Sequence, residues 1–174
     1  NNYAGIGDTT TFNFTTGALA DTQAPTLSSA TPTDDQGNVA IDSNIVLTFS
    51  EIIKAGTGNI IIKNSSGTII ETIAIASTTI SGNTVTINPT SNLGNSTSYN
   101  ITMASGVIQD IAGNAYAGIA DTNTLNFTTV MAADTTNPTL SSAVPVDGGS
   151  DIAVDANIVL TFSEAIAAGT GNIV

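Results

Sequence analysis

The stretch Asn44-Ile-Val-Leu-Thr-Phe-Ser-Glu51 reads NIVLTFSE, and the same eight residues return at Asn157 to Glu164. Within it Ile45, Leu47 and Phe49 share one face, and Val46, Thr48 and Ser50 the other. That period of two predicts a strand with one side in a core. Its return predicts a chain that writes one sandwich more than once.

Self-comparison extends the repeat. Asp21 matches Asp134, Pro25 matches Pro138, and Glu51 matches Glu164, each 113 residues on. The register runs without a gap from Asn1/Asn114 to Ile61/Val174, with roughly two-thirds of the pairs identical. The 174 residues then divide into three parts. Residues 1–17 are the C-terminal strand of a preceding repeat, 18–130 a complete repeat, and 131–174 the N-terminal part of a following one. The two end pieces lack a whole core and need neighbouring chain or another copy.

Strands are expected at about 26–31, 43–51, 59–64, 68–76, 83–88, 98–104 and 123–129. Val85 and Ile87, then Tyr99, Ile101 and Met103, then Leu125 and Phe127 alternate with polar residues. Thr, Ile and Val suit a half-buried pleated surface, and Gly, Asn, Asp and Ser punctuate the runs. No segment carries a helical stripe. The expected fold is all-β, with tandem Ig-like antiparallel β-sandwiches of about seven strands each. Tyr99, following Asn-Leu-Gly-Asn-Ser-Thr, sits where such a sandwich places a tyrosine that bonds back across a corner.

Composition excludes several functions. Cys, His, Trp and Arg are absent, and Lys54 and Lys63 face 14 acids for a net charge of −12. Nucleic-acid binding needs clustered Lys and Arg, so that partner is excluded. An anionic membrane surface would repel the chain, and no apolar run approaches the length of a span, so direct membrane insertion is not expected. Thiolate and imidazole zinc sites are excluded, whereas the many oxygen ligands suit a hard cation such as calcium. Paired carboxylates alone, without Trp, His or Arg, give little means of holding a sugar or tuning a general acid, so catalysis is not expected. The tyrosines form no visible stacking platform for a lectin.

The Asp-Thr-x-x-Pro linker at Asp21, the Phe-Ser-Glu strand end at Glu51 and the Asp-x-x-Gly-Asn loop at Asp110 together resemble the bacterial Ig-like domains of S-layer proteins and giant repetitive surface adhesins. The resemblance covers the whole repeat and parts of both ends. It implies a secreted, non-enzymatic surface module, often strung in long arrays and often calcium-loaded. It leaves any carbohydrate or host-surface ligand unspecified.

Topology assigns the acids to two poles. Asp21, Glu51, Asp110, Asn114 and Asp121 are expected to converge at the N-terminal pole. Asp34, Asp35, Asn38 and Asp42 go to the opposite one, facing the next repeat. Asp21, Glu51, Asp110 and Asn114 are the candidate calcium ligands, with Asp134 and Glu164 beginning the equivalent site. The competing reading makes these acids and amides turn formers that bond nearby backbone N–H groups and keep the protein soluble. The functional expectation is a structural repeat of a long extracellular surface fibre or adhesin stalk, rigidified by calcium, with neighbouring repeats or copies of itself as partners. The alternatives are a self-assembling S-layer or sheath subunit and an accessory binding domain of a large secreted enzyme.

Overall fold

A computed structural model describes residues 1–10 and 12–170. Two compact units divide the chain, Asn1–Ala132 and Ala133–Val174. No α-helix occurs among the described residues.

The first unit contains all seven expected strands and four short ones besides. They are β1 (Leu27–Thr31), β2 (Gln36–Val39), β3 (Ile45–Phe49), β4 (Ile53–Ala55), β5 (Asn59–Asn64), β6 (Ile69–Ala74), β7 (Thr79–Ser81), β8 (Thr84–Ile87), β9 (Ser98–Met103), β10 (Ile108–Asp110) and β11 (Asn126–Thr129). One sheet has the order β1-β3-β8-β7 and the other β2-β11-β9-β5-β6, while β10 and β4 form a two-stranded ribbon. Between the large sheets lies the core. Every residue assigned inward by its alternation (Ile45, Leu47, Phe49, Val85, Ile87, Tyr99, Ile101, Met103, Leu125 and Phe127) is at most 3% exposed.

Two features depart from the expectation. The pairing is not wholly antiparallel, because β2 runs parallel to β11. The first strand thus serves both sheets, pairing as β1 with β3 and, beyond Pro32, as β2 with β11. The sequence of β2, Gln-Gly-Asn-Val, has no alternation to reveal it; only its neighbour makes it a strand. The tyrosine corner is present: the Gly94 N–H donates to the Tyr99 hydroxyl at 2.7 Å. That bond ties the approach to β9 onto its own first turn.

In the second unit β12 (Leu140–Val144) pairs with β13 (Val159–Phe162) in the register that β1 keeps with β3: Leu140 faces Phe162 as Leu27 faces Phe49. The Thr139 N–H donates to Ser163 Oγ at 3.0 Å, as the Thr26 N–H donates to Ser50 Oγ at 3.0 Å. The match to the strand expected at 59–64 begins 113 residues on, at 172, outside the described residues.

Residues 13–20, matched in sequence to the start of β11 and beyond, are irregular. Among the described residues of 1–17 the expected C-terminal strand does not form, since neither β9 nor β2 pairs with it. An unpaired strand has no ladder to satisfy its backbone groups.

Candidate carboxylate site

Three elements bring acids to one end of the first unit. Asp21 arrives on the segment before β1, Glu51 follows β3, and Asp110 closes β10. One carboxylate oxygen from each lies within 4.8 Å of the others, with Asp21 exposed, Glu51 half-buried and Asp110 fully buried.

Asp110 is built in by its own loop. Its Oδ1 accepts the Gly113 N–H at 2.6 Å and the Asn114 N–H at 2.7 Å, and its Oδ2 accepts Asn114 Nδ2 at 2.7 Å. Gly113 supports this turn at φ 103°, a left-handed conformation that side-chain-bearing residues rarely adopt. Burial works to raise the Asp110 carboxyl. The Asn114 side chain and the backbone N–H groups of Asn114, Gly113 and Ala112 outweigh it and hold the carboxyl below its ordinary value. Glu51 goes the other way: burial first, then the charges of Asp21 and Asp110, push its carboxyl up. One site therefore holds a carboxyl lowered by hydrogen-bond donors beside one raised by burial and by neighbouring charge.

Asn114 stands beside the trio as a donor. Its Nδ2 also reaches the Asp21 main-chain oxygen at 3.1 Å, tying the linker to the β10 loop. Asp121 does not join. The chain pairs Ile119 with Met103 and then enters a separate turn, in which Asp121 Oδ1 accepts the N–H groups of Asn123 and Thr124, both at 2.8 Å. Those bonds, the Asn123 N–H foremost, lower the Asp121 carboxyl. Asp34 is also displaced from its expected pole. It sits along the sheet edge, where Oδ1 accepts the Asn126 N–H at 3.0 Å.

In the second unit Asp134 and Glu164 meet. The Thr136 N–H chiefly, then the Glu164 side chain, hold Asp134 below its ordinary value. Glu164 Oε1 is buried without a hydrogen-bond partner. The counterpart of Asp110 would fall beyond Val174 in the repeat register.

Sequence reasoning missed the role of Ser50. Ser50 Oγ fastens the start of β1, and Lys54 Nζ donates to the Ile111 oxygen at 3.1 Å beside the Asp110 loop. The recurrence of Ser50 as Ser163 within the repeated octapeptide was the available signal.

The model for the bacterial Ig-like domain matches residues 21–129 and again 134–174. The chain belongs to the bacterial Ig-like domain family. Such Ig-like domains are generally non-enzymatic β-sandwiches and are commonly extracellular or surface-exposed. No helix among the described residues is long and apolar enough to cross a membrane. A comparison with curated proteins gives no significant match. Among solved structures, CopC from Methylosinus trichosporium OB3b resembles the chain at 15% identity, covering 63% of this chain and 97% of its own, with a TM-score of 0.47. A likeness at that level says nothing of function here.

Proposed function

We propose that this chain is a stretch of a tandem Ig-like array, a non-enzymatic structural element of an extracellular surface fibre or adhesin stalk, in which calcium stiffens each repeat at its linker. The observation carrying this reading is the meeting of linker Asp21 with Glu51 and Asp110, two of which recur as the adjacent Asp134 and Glu164. In this reading each repeat is a rigid bead. A cation held by one linker carboxylate and two domain carboxylates fixes the linker to the bead that follows it.

The residues suit such an ion. Calcium takes six to eight oxygens at roughly 2.3–2.6 Å, so ligands on opposite sides stand about 4.6–5.2 Å apart. The trio spans 4.8 Å at most. Asp21, Glu51 and Asp110 would hold the ion, with Asn114 positioning Asp110 and Asp21. Bound charge would offset the repulsion from Asp21 and Asp110 that, after burial, raises Glu51. Binding to the folded state alone stabilises it by about 2.7 kcal/mol at a hundredfold excess over Kd.

The test is calorimetric titration of the 174-residue chain with calcium, followed by melting in calcium and in chelator. Heat of binding and a melt raised by several degrees are expected. Glu51→Gln keeps the shape and removes the charge, so it should lose most of both effects. No heat and an unmoved melt would leave these acids as turn formers.

A further inference from the structure

Among the described residues of the first unit, two buried side-chain polar atoms have no hydrogen-bond partner, Asn100 Oδ1 and Thr102 Oγ1. Both belong to β9, on the face turned from the core, because Tyr99, Ile101 and Met103 take the inner face. A buried polar group left unpaired is costly and calls for a reason. Thr102 lines a small hollow walled largely by Ile61, Met103 and alanines, which offers little to a polar ligand. Asn100 lines something different.

A cleft of about 400 Å³ opens over the outer face of the larger sheet, within the size range of small-molecule sites. Ser98 and Asn100 of β9 and Asn126 of β11 form its sheet side. β5 and β11 flank β9 on opposite sides, and each brings a wall. On the β5 side stand Ser65 and Gly67, in a turn fixed by Asn64 Oδ1, which accepts the Ser66 N–H at 3.1 Å and the Thr68 N–H at 2.9 Å. On the β11 side stand Thr122 and Asn123, in the turn that Asp121 closes, with Asp35 nearby. Both walls are thus set by their own turns before any ligand arrives.

We infer that this cleft binds a neutral saccharide unit. Apart from Gly67 and Tyr99, whose ring packs into the core against Phe127, every lining residue carries a hydroxyl, an amide or a carboxylate. Amides and hydroxyls both donate and accept, which matches the paired donor and acceptor of each sugar hydroxyl. Asp35 and the net charge of −12 repel an anion, and one carboxylate is a poor cage for a cation. Asn100 is 5% exposed, and its Nδ2 makes a single long bond to the Asn64 oxygen at 3.4 Å. Little therefore holds the amide against turning to meet a ligand hydroxyl, and that hydroxyl would supply the missing partner. No aromatic face is available for stacking, so affinity at one site is low, with Kd about 1 mM or weaker. The inference rests on the first unit's sandwich and does not require the cation.

The test titrates glucose, galactose, mannose and N-acetylglucosamine separately, each to about 100 mM, into the isotope-labelled 174-residue protein in chelator, following amide chemical shifts. At least one of these sugars should give saturable shifts confined to residues 65–67, 98–100 and 122–126. Asn100→Leu keeps the size and removes the amide. It should weaken binding about tenfold or more while the melt holds or rises, because an unpaired buried polar group is gone. Asn123→Ala, on the exposed wall, should weaken binding and leave the melt unchanged. No saturable response to any of these sugars, or shifts that survive both substitutions unaltered, would overturn the inference. A cleft that responds instead to calcium, with that response lost in Asp35→Asn, would be a cation site and would overturn it too.

Discussion

Asn126-Phe127-Thr128-Thr129 and Asn13-Phe14-Thr15-Thr16 are the same tetrapeptide. The first is β11, the central link between β2 and β9, with Phe127 packed against Tyr99 and 1% exposed. The second is irregular, with Phe14 78% exposed and touching only Phe12 among the aromatic rings of the described residues. The octapeptide behaves likewise: Leu47 is sealed at 0% exposure, while Leu160, its copy in β13, stands at 38%. Identical local sequence thus reaches different structure according to the partners within reach. Alternation supplies a face, and burial of that face supplies the free energy, about 1.5–3 kcal/mol for each large apolar side chain.

The widest separation between the two regions should come from the phenylalanines. Phe127→Ala should destabilise the first unit by about 3–5 kcal/mol, and Phe14→Ala by almost nothing. Chemical denaturation of the two variants measures both; equal losses would break the comparison. A smaller effect is expected at the corner that readies β9 for β11. Tyr99→Phe removes the acceptor of the Gly94 N–H and should cost about 1–2 kcal/mol.

The smallest effect is the dependence on pH in chelator. Glu51 is raised in the fold, so the folded state gains as pH falls through that raised value. Asp110 is lowered, so its contribution is present above its unfolded value and lost as pH falls through its folded one. Melting temperature should therefore rise slightly in mild acid before declining. Glu51→Gln should erase the rise and keep the decline. A monotonic fall in the unsubstituted protein would contradict the assignment of strain to Glu51.

Much of the sandwich was legible because β3, β8, β9 and β11 carry their own alternation and turn residues bound the other expected strands. The four that were missed are defined by neighbours: β2 borrows β11, and β4 and β10 find each other across more than fifty residues. The meeting of Asp21, Glu51 and Asp110 followed from strand direction alone. Asp121 was misplaced because the loop after β9 pairs back on Met103 and then closes its own turn, which no periodicity records. Asn114 was read as a ligand through its oxygen; its donation through Nδ2 to Asp110 and Asp21 adds a positioning role that composition does not record.

The proposed tandem array makes one central claim: residues 134–174, followed by the chain that matches residues 62–130, complete a sandwich like the first unit's. The direct measurement is amide hydrogen exchange at Val159–Phe162 in two proteins. One is the 174-residue chain; the other carries a copy of residues 62–130 joined after Val174, the position matching Ile61. The account predicts fast exchange in the first and, in the second, protection equal to that of Ile45–Phe49. Exchange that stays fast in the completed chain would contradict it.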